Sequence, residues 1–361
     1  ENQAAELLNV DLSDVIPKKR DGYREVQSKL NNTYRGSLLA ELEVGPQSRL
    51  LVAGFPGHAT FACHSPNGPS WDETLVVENV SGTTDTALDV ASDQAKGIQG
   101  NDLLWLVAPE TGKNIHAMDS NGDWRDLGNA NASPPSDAVD GVYMLSRMWF
   151  IGGDKLYWSK LLPTLADMLP TPAAFDRNNT GLGSEFGGSL NLSPDRGALP
   201  VAIVPWREES LICFFKNQIE EVVINPADPI DSTRRRIEGR IGCGARDSIV
   251  QVGDEVYFLD QYGNYRALRR NQLGTLEGAI PKPISEVYRG ELPGNLNQEY
   301  AYRSQAALLE EFLYLAYPAV GSNSCNRMVV LDLGTQRLYG PWEFARPFSK
   351  LLVSDIEGGA F

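Results

Sequence analysis

The chain has 361 residues, 42% of them hydrophobic and 22% charged, with 34 glycines and 22 prolines. That composition describes a turn-rich globular protein long enough for a sizeable core, and it excludes an intrinsically disordered chain. The formal net charge of -15 at pH 7, from 47 acidic and 32 basic residues, argues against tight wrapping of a nucleic-acid backbone, which needs clustered lysine and arginine.

Along the chain one pattern recurs: a polar residue, four apolar residues, a turn and a second strand-like run. The instances are Arg49 before "LLVA", Asp102 before "LLWL", Arg147 before "MWFI", Ser210 before "LICF", Glu255 before "VYFL" and Glu311 before "FLYL". Their first apolar residues (Leu50, Leu103, Met148, Leu211, Val256, Phe312) are 45 to 63 residues apart, the interval of a repeated sheet unit. Gly, Asn and Asp in the links suit tight hairpins, so each unit reads as an antiparallel hairpin with a fully buried first strand. Radial stacking covers both faces of such a strand. The predicted fold is all-β: a β-propeller of six or seven four-stranded blades, with long inter-blade loops and at most one short helix. Lys350 before "LLVS" marks a seventh unit or a closing strand. Residues 1–34 read as a lead-in and ring-closure segment, and 35–361 as the propeller.

Two stretches interrupt the pattern. Residues 163–187, rich in Pro, Asn and Gly, read as a long partner-facing loop with Phe175, Asp176, Arg177 and Asn178 as candidate contacts. Segment 281–303 reads as a second contact region, with Ile284, Val287 and Tyr288 at helical spacing. The basic run "TRRRIEGR" supplies further candidate contacts, Arg234, Arg235, Arg236 and Arg240, beside its ordinary reading as a solvated strand face.

No motif points to catalysis, a cofactor or a metal. Gly239, Gly242 and Gly244 are spaced like a phosphate loop, but a strand pattern follows them where a dinucleotide loop opens a helix, so they read as a turn. "DSNGDW" starts like a calcium loop, but Trp124 and Ala130 stand where Gly and a bidentate Glu are needed. Cys63, Cys213, Cys243 and Cys325 never form C-x-x-C and read as reduced structural thiols; His58, His64 and His116 lack ligand spacing. The pairs Glu208-Glu209, Glu220-Glu221 and Glu310-Glu311 read as exposed strand flanks, with a glycosidase carboxylate pair as the alternative. No apolar stretch is long enough to span a bilayer, and no signal peptide is expected.

Four segments carry a family resemblance. "NVDLSDVIPKKRDGYREV" (9–26), "ALPVAIVPWREESLICFFKNQIEEVVIN" (198–225), "IGCGARDSIVQVGDEVYFLDQYGNYRAL" (241–268) and "VLDLGTQRLYGPW" (330–342) resemble, in that order, segments of phage β-propeller virion proteins. That family includes the tail hub and nozzle proteins of short-tailed phages. The resemblance implies a non-enzymatic structural subunit of the virion tail or neck, assembled in the host cytoplasm. It further implies a homo-oligomer, commonly a six-fold ring, with portal, adaptor and fibre proteins as partners and DNA passing without specific binding. The alternative is a receptor- or polysaccharide-binding, or depolymerising, propeller of a tail adhesin, which predicts Trp105, Trp149 and Trp158 converging at one mouth. A tryptophan-aspartate repeat scaffold is disfavoured because its dipeptides do not recur.

Overall fold

The computed structural model describes residues 10–11, 18–19, 38–45, 48–55, 58–64, 71–72, 95–107, 115–119, 124–126, 138–163, 187–192, 195, 197–238, 240–269, 291–335, 337–354 and 359–360. The described residues are all-β with almost no helix, and the chain divides into two compact units, residues 1–28 with 243–361, and residues 29–242.

β1 (Val10–Asp11) and β2 (Lys18–Lys19) form a small ribbon in the first unit. The 29–242 unit holds four consecutive antiparallel meanders. They are β3 (Leu38–Gly45), β4 (Ser48–Phe55), β5 (His58–His64) and β6 (Trp71–Asp72); β7 (Lys96–Gly100), β8 (Leu103–Val107), β9 (His116–Met118) and β10 (Trp124–Asp126); β11 (Ala138–Met144), β12 (Arg147–Gly152), β13 (Lys155–Trp158) and β14 (Gly188–Asn191); and β15 (Pro200–Pro205), β16 (Ser210–Phe215), β17 (Ile219–Val223) and β18 (Thr233–Glu238).

In this unit the first strands β3, β7, β11 and β15 pack in succession. A side chain assists one of these contacts: Glu43 N donates to Gln99 Oε1 at 2.9 Å and Gln99 Nε2 donates to Glu43 O at 3.1 Å, so the amide imitates a strand partner. The second strands form the core. Every residue of β8, β12 and β16 is buried, because a strand paired on both edges and covered on both faces has no polar side. Trp105 Nε1 donates to Gly100 O (3.1 Å) and Trp149 Nε1 to Met144 O (2.9 Å), the same five-residue reach back across each hairpin.

The other unit continues with β19 (Val250–Val252), β20 (Glu255–Leu259) and β21 (Tyr265–Leu268). A short helix α1 (Glu291–Asn295) and a 3-10 turn Gln298–Arg303 lead to β22 (Gln305–Leu309), β23 (Phe312–Tyr317), β24 (Cys325–Asp332) and β25 (Arg337–Phe348). β26 (Val353–Ser354) and β27 (Gly359–Ala360) form a ribbon, and β1 lies beside β25. Asp260 organises the β20–β21 hairpin, accepting from Tyr262 N and Asn264 N at 2.8 Å each and from the Arg266 guanidinium.

Several expectations are corrected. Among the described residues there are five four-stranded sheets and one of three strands, not six or seven of four. The apolar tetrapeptides lie on β4, β8, β12, β16, β20 and β23, each pairing as expected with the strand that follows it, and each is the second strand of its sheet because a further strand precedes it. Of the "LLVS" segment only Val353 and Ser354 are in a strand, the ribbon strand β26. Glu220 and Glu221 are buried, whereas Glu208, Glu209, Glu310 and Glu311 are exposed. The helix expected over 284–288 lies outside the described residues; α1 begins after Gly290. The glycine-rich turn leads into a three-residue 3-10 turn, Arg246–Ser248, and a Cβ on Gly244 would stand 2.6 Å from Asp260 O, so close backbone approach explains the glycine.

Candidate functional site

The structure gives the basic run partners within its own unit. Glu221 on β17 and Arg235 on β18 are register partners, and Arg235 Nη2 lies 2.7 Å from Glu221 Oε2. Arg236 pairs with Asp195 at 2.9 Å, and Arg234 donates to the Asn191 carbonyl. Arg240 is exposed and also engaged. Arg235 and Glu221 meet because β17 and β18 are in register there, whereas Arg234 and Arg236 reach past the strand pair to Asn191 and Asp195. Phe175, Asp176, Arg177 and Asn178 lie outside the described residues.

Trp105, Trp149 and Trp158 do not converge at a mouth. They are buried, Trp105 against Phe150 (centroids 5.9 Å apart) and Trp149 against Trp158 (5.7 Å). Cys213, Cys243 and Cys325 are buried free thiols, and burial pushes the Cys213 thiol up. His58 and His64 occupy the two ends of β5, about 20 Å apart at ordinary strand rise. Among the described residues no group of three His, Cys, Asp or Glu is placed to hold a metal, and no helix is long and apolar enough to cross a membrane.

What sequence reading missed is a cleft of about 240 Å³ in the 29–242 unit, lined by Leu145, Arg147, Trp149, Leu161, Ile224 and Pro229 among others. Three pieces of chain build it. The β11–β12 turn supplies Leu145 and Ser146, at φ 53° and 58°. The segment after β13 is tied beneath that turn: Ser159 N donates to Met148 O, Leu162 N donates to Ser146 O, both at 2.8 Å, and Arg147 Nη1 donates to Ser159 O at 2.7 Å. The third piece follows β17, where Asp228 accepts from Ile230 N at 3.2 Å and Pro229 opens a 3-10 turn, the acid-then-proline order that starts helical turns.

The hairpin is unusual for its residues. Positive φ at both central positions favours Asn, Asp or Gly, and the β7–β8 turn conforms with Asn101 and Asp102 at 52° and 59°. The equivalent β11–β12 turn holds a leucine there, at a cost of about 1 kcal/mol. Leu162, also at positive φ (46°), is 55% exposed. The arrangement thus presents apolar side chains at an open cleft where turn chemistry alone would select polar ones. Burial pushes the neighbouring Tyr143 phenol up, with the Asp102 charge adding and the Ser146 hydroxyl opposing.

Consecutive antiparallel meanders with packed first strands define a β-propeller. No protein-family model and no curated protein sequence matches the chain. Solved structures do. Two structures of the extracellular domain of BT4673 from B. thetaiotaomicron align with TM-scores of 0.53 and 0.52, at 12% and 11% identity, over 94% and 93% of this chain. The chain spans about two fifths of their length, 41% and 40%. YCF48 from Cyanidioschyzon merolae aligns with a TM-score of 0.51 at 9% identity, over 92% of this chain and 96% of that one. At such identities the likeness shows the fold alone.

Proposed function

We propose that this chain is a non-enzymatic structural subunit of a bacteriophage tail or neck, joined to other virion proteins through its surface cleft and loops. The observation that carries a role in protein contact is Leu145, an apolar residue held at positive φ on the wall of an open cleft. Strain of this kind persists where function keeps it. The virion assignment is supported by the order of the resembling segments. Residues 198–225 span β15 to β17, 241–268 span β19 to β21, and 330–342 join β24 to β25, so the likeness falls on sheet-forming units. In this reading the subunit forms a ring of copies, and its acidic surface lets DNA pass without adhering. Mass spectrometry of particles purified from the genome that encodes the chain should find it in stoichiometric amount, and electron microscopy should place it in the tail. Its absence from intact particles overturns the assignment.

A second reading, saccharide binding, rests on a different feature. Tyr262 is 60% exposed at the β20–β21 turn, and Tyr300 and Tyr302 flank the Arg303 guanidinium at 4.9 and 5.3 Å. Aromatic rings beside a fixed cation suit sugar faces with acidic substituents. Saturable binding of host surface polysaccharide, lost in Tyr262→Ala, would favour it.

A further inference from the structure

We infer that the cleft beside Leu145 takes one apolar side chain from a basic segment of a partner protein. The inference rests on the reading that this chain works through protein contacts, and it specifies the chemistry of one contact.

The cleft wall is apolar, with Leu145, Leu161, Ile224 and Pro229 contributing, and its volume of about 240 Å³ admits a leucine- or phenylalanine-sized group. Leu162, 55% exposed, follows the lining Leu161 in the chain. The charges around the cleft are mainly of one sign. Glu208 and Glu209 are exposed on the β15–β16 turn, and Glu209 O accepts from Ile224 N at 2.7 Å, which brings that turn to the cleft wall. Asp228 and Asp231 are exposed on either side of the lining Pro229. Asp102 is exposed beside Asn101, whose side chain donates to Pro163 O at 2.8 Å next to Leu162. Against these five carboxylates stand Arg207, exposed on the Glu208 turn, Arg234, exposed on β18 opposite Val222 and drawn to the Asn191 carbonyl, half-buried Lys160, and Arg147, whose guanidinium is buried and bonded to Ser159 O. An apolar socket with an acidic rim selects an apolar anchor carried on lysine or arginine, and repels the same anchor on an acidic segment.

The test uses the whole 361-residue chain, labelled with nitrogen-15, with the Trp149 indole N–H as reporter because Trp149 lines the cleft. The probe is the acetylated, amidated peptide Lys-Lys-Leu-Lys-Lys, compared with Lys-Lys-Ala-Lys-Lys and Glu-Glu-Leu-Glu-Glu. The leucine peptide should shift the indole signal saturably. The alanine peptide should bind at least about tenfold more weakly, and the acidic peptide should give no shift. Glu209→Lys should weaken the leucine peptide about threefold to tenfold, less so in about 0.5 M salt. Leu145→Asn restores ordinary turn chemistry, so it should keep the thermal midpoint within about 4 °C of the parent while weakening the peptide at least about fivefold. Equal response to leucine and alanine peptides, or none to the leucine peptide at millimolar concentration, overturns the inference. If the chain is found in particles but the cleft ignores the peptide, only this inference fails. If the peptide binds but the chain is absent from particles, only the virion assignment fails.

Discussion

Lys96 Nζ stands 2.7 Å from Asp140 Oδ1, and Asp140 Oδ2 accepts from Ile203 N at 3.0 Å, so one carboxylate ties together the first strands β7, β11 and β15. The two ends of the ion pair differ in burial, with the lysine side chain 34% exposed and the aspartate 1%. Removing the lysine strands a buried charge, whereas neutralising the aspartate frees a lysine that reaches water. Lys96→Met should therefore cost about 3 to 5 kcal/mol in urea unfolding, and Asp140→Asn about 1 to 2 kcal/mol. The reverse order would show that the carboxylate is not the costly partner.

First strands approach too closely for an added side chain at Gly100, beside Tyr143 of β11, and at Gly97, beside Ala40 of β3. A Cβ on Gly97 of β7 would overlap the Ala40 Cβ of β3 and stand 3.0 Å from Leu104 Cδ1. Gly97→Ala should destabilise by about 1 to 3 kcal/mol, the ordinary range for overpacking. Ala40→Gly in the same chain should recover much of that loss, because the two substitutions share one contact and are not additive. No recovery in the double variant would locate the clash with Leu104 instead.

The pairing of Glu221 with Arg235 gives a third expectation. The carboxylate side chain is 8% exposed and the guanidinium 47%, so the pair is half wet and its coupling is modest. A double-mutant cycle with Glu221→Gln and Arg235→Ala should give a coupling of about 0.5 to 1.5 kcal/mol, shrinking as salt rises. Arg236 and Asp195, both more than 40% exposed, should couple by less than about 1 kcal/mol.

The apolar tetrapeptides were the legible part of the fold because they form second strands paired on both edges, and those of β8, β12, β16 and β20 are covered on both faces. Composition therefore identifies Leu103 to Leu106 and Met148 to Ile151 without any periodicity. First strands carry no such mark. β7 reads "KGIQG", with glycine where a neighbouring strand approaches and polar side chains that bond across to the next sheet. Charge pairing was illegible for a related reason: whether "TRRR" faces a partner or Glu221 depends on the register of β17 against β18, which neither segment encodes alone. The cleft had a faint signal at most, the absence of Asn or Gly between two strands at Leu145 and Ser146.

Acid should expose a further device, at the end of β24. Asp332 accepts from Thr335 N at 2.9 Å and from Thr335 Oγ1 at 2.6 Å, closing the turn into β25. The Thr335 hydroxyl, reinforced by its backbone N–H, holds the Asp332 carboxyl below its ordinary value. A carboxyl depressed in the folded state contributes stability that is fully present above its unfolded value of about 3.9 and is lost as pH falls through the folded value. Asp332→Asn has no charge to lose, so the parent should exceed it by about 1 kcal/mol near neutral pH, and the gap should stay constant down to about pH 5 and then close as pH falls through the unfolded value of about 3.9 and the lower folded one. Thr335→Val should remove most of the same pH dependence while leaving the aspartate in place. A gap that stays constant or widens in acid would mean that the turn is held by backbone geometry and not by the ionised carboxylate.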